Sequence, residues 1–285
     1  MSSSFERVTV LGAGVLGMQI AFQTAVHGFA VTSYDVSDEA VAQARGRLDA
    51  IVGQYLGEVR DADPDAVRAA AAGIRFETDL AAAVADADLV IEAVPESLEL
   101  KRGVYRALAQ VAPERTVLAT NSSTLLPSDL VESTGRPERF LALHFANHIW
   151  AQNTAEIMGT SRTDPAVADR VAAFAEEIGM VPIRLRKEQP GYVLNSLLVP
   201  FLDAAAGLFM KDVADPATID ATWRIATGAP LGPFQIFDVV GLRTAYAVSI
   251  AGNAESRAFA ARLQRDYLDR GLLGVESGEG FYTYR

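Results

Sequence analysis

Five short runs of apolar residues, each followed by a turn or a polar residue, dominate the first half of the chain. Stretches long enough to form helices separate these runs. Apolar strands that alternate with helical segments are typical of a parallel sheet with helices on both faces. The sequence therefore predicts an α/β domain built on a doubly wound sheet. Its predicted strands are Arg7–Leu11, Ala30–Tyr34, 87–91, 116–119 and 140–143.

The pattern changes near residue 187. Residues 190–267 show apolar positions at helical spacing and little strand alternation, which favours a smaller all-helical domain. We expect the first domain to span residues 1–187 and the helical domain to span residues 188–285. Within the first domain, residues 37–60 are predicted to form a long helix that begins with Ser37 as its N-cap.

The composition of the 285 residues narrows the class of protein. Half are hydrophobic and 21% are charged, so the chain can bury a sizeable core. The absence of cysteine excludes disulfides, thiolate metal sites and cysteine nucleophiles, and makes a reducing cytoplasm the expected compartment. A net charge of −11 argues against nucleic acid or anionic membrane as a partner. No apolar run reaches the roughly 20 residues of a membrane helix.

A G-x-G-x-x-G element, formed by Gly12, Gly14 and Gly17, directly follows the first strand and opens a helix. In this context the glycines permit a tight turn, a close approach of the backbone to a pyrophosphate, and packing of helix on strand. Asp35 ends the second predicted strand. A carboxylate there binds ribose hydroxyls and repels a 2′-phosphate. The sequence therefore predicts a Rossmann-type domain that binds NAD in preference to NADP.

Hydride transfer to or from a hydroxyl carbon needs a group that exchanges a proton near neutral pH, and histidine is the usual choice. The chain has three histidines. His27 lies at the predicted end of the first helix, where its charge complements the helix dipole. His144 and His148 follow the fifth strand, at the sheet edge where ligands bind, so either could face the cofactor. The spacing of these two histidines could also suit a metal ion. No third ligand is evident in the sequence, so we expect no metal site.

A catalytic histidine also needs a partner that orients its ring. Glu156 is a lone acid in an apolar run. From spacing alone, it is equally well interpreted as that partner or as an acid on an edge strand that faces water.

At these residues the chain resembles the 3-hydroxyacyl-CoA dehydrogenase family, over nearly its whole length. The joint order of the matching blocks is more specific than any one of them. The blocks are VTVLGAG at 8–14, VIEAVPE at 90–96 with Lys101, TNSSTL at 120–125, LHFAN at 143–147, PGYVLN at 190–195, GPF at 232–234 and GEGFY at 278–282.

The resemblance implies an NAD-dependent oxidoreductase of fatty acid metabolism that acts on a 3-hydroxyacyl thioester and forms a homodimer through its helical domain. It implies that His144 is the general acid/base and that Glu156 orients it. Ser123 and Asn195 are implied to contact the substrate. It also implies that the NAD site is lined by Glu96, Lys101 and Asn147.

The chain also departs from the family pattern. Ala146 and His148 replace phenylalanine and proline, and Ser196 and Glu276 replace an arginine and a lysine. Where the family often holds coenzyme A with serine and lysine, the corresponding residues are 51 and 58, an isoleucine and a glutamate. A glutamate repels phosphate. A carrier-protein thioester and a free 3-hydroxy acid therefore remain alternative substrates, and an NAD-binding protein without catalysis remains an alternative function.

Overall fold

The computed structural model describes residue 3 and residues 5–284. Within these residues eight strands form one sheet. The strands are β1 (Arg7–Leu11), β2 (Ala30–Tyr34), β3 (Arg75–Glu77), β4 (Leu89–Glu92), β5 (Val117–Thr120), β6 (Phe140–Phe145), β7 (Thr154–Gly159) and β8 (Val181–Arg184). Their order across the sheet is β3-β2-β1-β4-β5-β6-β7-β8.

Seven helices accompany this sheet in the described part of the chain. They are α1 (Val15–Val26), α2 (Asp38–Glu58), α3 (Pro64–Ala72), α4 (Leu80–Val84), α5 (Leu98–Val111), α6 (Pro127–Leu130) and α7 (Pro165–Glu177). The hydroxyl of Ser37 accepts a hydrogen bond from the amide of Ala40, so Ser37 caps α2 as predicted. Helix α1 is buried along most of its length, which explains why its sequence is mainly apolar and has no charged residue.

The five predicted strands correspond to β1, β2, β4, β5 and β6, and the predicted doubly wound fold is confirmed. Strand β7 runs antiparallel to β6, and β8 pairs with the outer side of β7 in parallel. The sheet is therefore mixed at this end. Strand β7 is not an edge strand, because β8 covers it.

A second compact unit begins at Leu194. It contains the predicted helices and no strand of the eight-stranded sheet. Its helices are α8 (Leu194–Met210), α9 (Pro216–Thr227), α10 (Pro233–Val240), α11 (Leu242–Ile250) and α12 (Ala254–Asp266). Their buried faces form a separate core that includes the aromatic ring of Phe281 near the end of the chain. The compact units divide between Val193 and Leu194, whereas the sequence places the boundary between Lys187 and Glu188.

Among the described residues, no helix is long and apolar enough to cross a membrane.

Candidate active site

The glycine loop connects β1 to α1. Gly12 has a φ of +92°, and a Cβ atom at this position would lie 2.7 Å from the carbonyl oxygen of Ala93. A Cβ atom on Gly17 would lie 1.9 Å from the carbonyl oxygen of Gly12, so only glycine lets α1 pack this closely. Among the described residues, no atom outside the adjoining chain lies within 4 Å of a Cβ placed on Gly14. Helix α1 begins at Val15 without a side-chain cap, which leaves its first amides directed at an open approach.

Asp35 directly follows β2 and lies against this loop. Its Oδ2 atom accepts a hydrogen bond from the amide of Ala13 at 2.8 Å, and Oδ1 accepts one from the amide of Val36. Arg47 of α2 donates to the carbonyl oxygen of Ala13 at 3.2 Å. An open glycine, uncapped helix amides and a carboxylate at the strand end fit the adenosine diphosphate portion of NAD.

His144 lies on β6, directly opposite Glu156 in the antiparallel pairing with β7. Its Nδ1 atom is 3.0 Å from Oε2 of Glu156, and both side chains are almost completely buried. The other oxygen of Glu156 accepts a hydrogen bond from the amide of Val193 at 2.8 Å. Glu156 is only 3% exposed, so the interpretation of an acid facing water is wrong. On the far side of the ring, Nε2 of His144 lies 3.1 Å from Oγ of Ser123.

Tyr192 covers one face of the His144 imidazole. The ring centroids are 4.5 Å apart and the planes differ by 16°. Burial raises the pKa of Tyr192 far above its usual range, and the charges of Glu96 and Glu156 raise it further, so its hydroxyl stays protonated. Sequence reasoning gave this tyrosine no role. Its position in the PGYVLN block was the available signal, but the stacking depends on two segments that meet only in the folded chain.

Glu96 lies in the loop after β4, and Lys101 lies on α5. Lys101 is 1% exposed, and its Nζ atom is 2.6 Å from Oε1 of Glu92 and 3.4 Å from Oε2 of Glu96. Glu92 is fully buried and also accepts hydrogen bonds from the hydroxyls of Thr120 and Tyr105. Sequence reasoning did not single out Glu92, although a glutamate at the end of an apolar strand marked it.

Two further predicted residues are asparagines. Asn147 is exposed and follows β6 directly, at the sheet edge that carries the glycine loop. Asn195 is the second residue of α8 and belongs to the helical unit.

His144 and His148 contact different carboxylates. His148 hydrogen bonds through Nε2 with Oε2 of Glu58, at the end of α2, and Nε1 of Trp150 donates to the same oxygen at 2.7 Å. Burial tends to raise the pKa of Glu58, but hydrogen bonds from Trp150, Gln54 and His148 lower it overall. The residues that depart from the family pattern at 58 and 148 therefore contact each other. No group of three potential metal ligands occurs among the described residues.

Comparison with known proteins places this geometry in a family. Residues 7–189 match the NAD binding domain of 3-hydroxyacyl-CoA dehydrogenase, and residues 191–284 match its C-terminal domain. A probable 3-hydroxybutyryl-CoA dehydrogenase of Deinococcus radiodurans is 33% identical, over 96% of this chain and 99% of the relative. The human mitochondrial hydroxyacyl-coenzyme A dehydrogenase is 30% identical, over 98% of this chain and 91% of the relative.

Solved structures give the same result. A diketoreductase, described as acting on dicarbonyl compounds, is 61% identical, with a TM-score of 0.95 over 98% of this chain and 99% of its own. FadB2 of Mycobacterium tuberculosis is 29% identical, with a TM-score of 0.88 over 99% of both chains. Because both domains of one family match in order along the chain, the protein belongs to the 3-hydroxyacyl-CoA dehydrogenase family and is an NAD-dependent oxidoreductase.

Proposed function

We propose that the protein interconverts a 3-hydroxy and a 3-oxo group on an acyl substrate, with His144 as the general acid/base. The observation that carries this proposal is the orientation of the His144 ring. Glu156 at Nδ1 favours a proton on that nitrogen, which leaves Nε2 to accept a proton from a substrate hydroxyl. Ser123 lies beside Nε2, at the atom where the proton is exchanged.

Each residue has a distinct role in the proposed reaction. In oxidation, neutral His144 takes the hydroxyl proton at Nε2, and the Glu156 carboxylate stabilises the resulting charge. Ser123 donates a hydrogen bond to the substrate oxygen, and Asn195 positions the substrate carbonyl. NAD, when bound, supplies the hydride acceptor. Gly12, Gly14, Gly17 and Asp35 would hold its adenosine diphosphate portion, and Glu96, Lys101 and Asn147 are the proposed residues beside the rest of the dinucleotide.

We further propose that recognition of the substrate depends little on the nucleotide of coenzyme A. The serine and lysine that often bind this nucleotide in the family correspond to Ile51, which is 8% exposed, and Glu58, which is fixed by His148 and Trp150. A carboxylate held in place repels a phosphate. A 3-oxoacyl compound is itself a dicarbonyl compound, the substrate class named for the 61% identical relative. An acyl substrate without a nucleotide carrier is consistent with both observations.

A comparison of three substrates tests both the proposed reaction and the proposed small contribution of the coenzyme A nucleotide. Oxidation of NADH is followed by absorbance with acetoacetyl-CoA, the acetoacetyl N-acetylcysteamine thioester and ethyl acetoacetate. We expect turnover, with kcat/KM values for the two thioesters within about tenfold of each other, because an exposed phosphate contact contributes only about 1 kcal/mol. A preference of about a hundredfold for acetoacetyl-CoA would overturn the carrier proposal. Binding of NADH without turnover of any substrate would favour a non-catalytic protein.

A matched pair of variants sharpens the carrier test. Glu58→Lys should raise kcat/KM for acetoacetyl-CoA by about five- to tenfold, since repulsion becomes attraction. The same variant should leave the N-acetylcysteamine thioester unchanged. Glu58→Gln removes the charge without reversing it. Its kcat/KM for acetoacetyl-CoA should lie between the values of the parent protein and of Glu58→Lys.

We propose that the protein is a homodimer formed through its helical unit, in a cytoplasmic compartment consistent with its lack of cysteine. Helix α9 presents Trp223 and Ile225 to solvent, and Ile225 is 85% exposed. A large apolar side chain that is this exposed is typical of a surface that pairs with a second copy. Light scattering should give twice the 30.4 kDa mass of the chain. Ile225→Glu should give the mass of one chain, and an unchanged mass would place the interface elsewhere.

A further inference from the structure

The carboxylate of Glu96 anchors the loop that follows β5. Its Oε1 atom accepts hydrogen bonds from the hydroxyl of Ser122, the amide of Ser123 at 3.1 Å, the amide of Thr124 at 2.8 Å and the hydroxyl of Thr124 at 2.7 Å. The amide of Leu125 lies within 3.4 Å of the same oxygen. Four successive residues of the loop are thus directed at one oxygen atom.

The buried charges of Lys101 and Glu92 hold this carboxylate in place. Its Oε2 atom faces Nζ of Lys101, whose own position is set by Glu92 and by the carbonyl oxygen of Val94 at 3.1 Å. Burial tends to raise the pKa of Glu96, but hydrogen bonds from Ser122 and Thr124 and the charge of Lys101 lower it to about 2. Glu96 is therefore ionised at any pH at which the enzyme would be assayed, and its hydrogen bonds to the loop are charge-assisted.

Ser123 connects this anchor to the proton-transfer group. Its amide donates to Glu96, and its hydroxyl lies 3.1 Å from Nε2 of His144. A hydroxyl on an exposed loop would otherwise sample several rotamers and backbone positions. We infer that Glu96, held by Lys101, is a positioning residue that acts through Ser123 and keeps its hydroxyl against the reacting nitrogen of His144. This inference rests on the proposed function of His144 and Ser123.

Glu96 can lie beside the dinucleotide, as proposed above, without determining the affinity for NADH, because both of its oxygens have partners within the protein. A residue that acts on the dinucleotide should change the dissociation constant of NADH. A residue that acts through Ser123 should change kcat, leave NADH binding intact, and lose its effect once the Ser123 hydroxyl is gone.

A double-mutant cycle separates these cases. Glu96→Ala should lower kcat by about 10- to 100-fold, the range that one charge-assisted hydrogen bond contributes, with the NADH dissociation constant within about twofold of the parent. Glu96→Gln retains an acceptor oxygen for the loop and should recover much of that loss. In a Ser123→Ala background, Glu96→Ala should lower kcat by less than about threefold more, because coupled residues are not additive.

Other outcomes would overturn the inference. Fully additive losses in the double variant would mean that Glu96 does not act through the Ser123 hydroxyl, and an NADH dissociation constant raised about tenfold would assign Glu96 to the cofactor. Glu99→Gln, at an exposed position three residues further along the chain on α5, is the matched control and should leave both kcat and the NADH dissociation constant unchanged. If Glu96→Ala does not fold, Glu96→Gln and Thr124→Val in the same cycle give the answer. Failure of the proposed function is recognised separately, because Ser123→Ala and His144→Gln would then leave turnover unchanged.

Discussion

Glu156→Gln is the sharpest test of the proton-transfer pair, because glutamine keeps the size of glutamate and removes its charge. The two carboxylate oxygens have different partners, the amide of Val193 at 2.8 Å and Nδ1 of His144 at 3.0 Å. Glutamine has one oxygen and one NH2 group. If its oxygen keeps the Val193 amide, its NH2 group faces Nδ1 and places the ring proton on Nε2. That tautomer cannot accept a proton from the substrate.

The magnitude follows from these two contacts. A hydrogen bond to a charged group contributes about 1.5–3 kcal/mol. Turning the amide to restore the productive tautomer loses the Val193 hydrogen bond, at a cost of roughly 1 kcal/mol. The combined penalty of about 2.5–4 kcal/mol lowers kcat/KM by roughly 70- to 900-fold, since 1.36 kcal/mol corresponds to a factor of ten.

The assay is steady-state reduction of a 3-oxoacyl substrate, with NADH affinity measured by fluorescence titration. Affinity for NADH should stay within about twofold, since Glu156 acts on the imidazole, and the imidazole is proposed to act on the substrate proton and not on the dinucleotide. Glu176→Gln, on the exposed end of α7, is the matched control. A loss of less than about fivefold would refute the reasoning, because neither charge nor tautomer would then matter.

His144→Gln should abolish turnover while the NADH dissociation constant stays within about twofold, and His148→Gln should retain most of the turnover, because only the former exchanges the substrate proton. The reverse ranking would contradict the assignment. The ratio of kcat/KM values should favour NAD(H) over NADP(H) by at least about tenfold, or ~1.4 kcal/mol, because Asp35 repels a 2′-phosphate; equal values would mean that Asp35 does not face the ribose. Tyr192→Phe should keep kcat within about twofold, whereas Tyr192→Leu should lower it by about three- to tenfold through loss of the stacked ring. Equal losses in both would assign the effect to the hydroxyl.

The glycine loop could be predicted from the sequence because its geometry is local. The positive φ at Gly12, the close contact at Gly17 and the cap at Ser37 each involve residues 12–40, although the contact of Gly12 with Ala93 reaches beyond this segment. Strand, turn and helix signals within a β-α-β unit agree with one another, and little depends on the rest of the chain. The helical unit was predictable for a similar reason, since its apolar spacing persists over several turns.

Strands β3 and β8 were not predicted, and a strand at β7 was considered only in one interpretation of Glu156, because these sequences carry weak strand signals. Strand β3 has three residues, and β8 contains Pro182 and has no fully buried residue. In β7, Glu156 interrupts the apolar run. These segments are strands because neighbouring strands supply their hydrogen bonds, and tertiary context of this kind overrides local preference.

The anchoring role of Glu96 could not be predicted from the sequence either. Its partners lie 26 to 29 residues further along the chain, and no spacing rule connects a strand end to a loop after the next strand. The same holds for Tyr192, whose ring meets that of His144 only because two remote segments pack together. Sequence motifs identified these segments as important, but the contacts that assign a physical role come from packing.

The antiparallel pairing of β6 with β7 explains why an acid twelve residues after His144 can orient it. Residues directly opposite in such a pair have Cβ atoms about 4.5–5.5 Å apart on one face of the sheet, and His144 and Glu156 are directly opposite each other. A register shift of one residue would turn Glu156 to the opposite face. The pair therefore requires a fixed register and a fixed connection length, and it places no demand on the identity of the residues between the strands. That freedom accounts for the departures at Ala146 and His148, which leave the His144–Glu156 contact intact while the second of them binds Glu58 at the end of α2. Divergence in this connection can thus alter the contacts of Glu58 without disturbing the contact between His144 and Glu156.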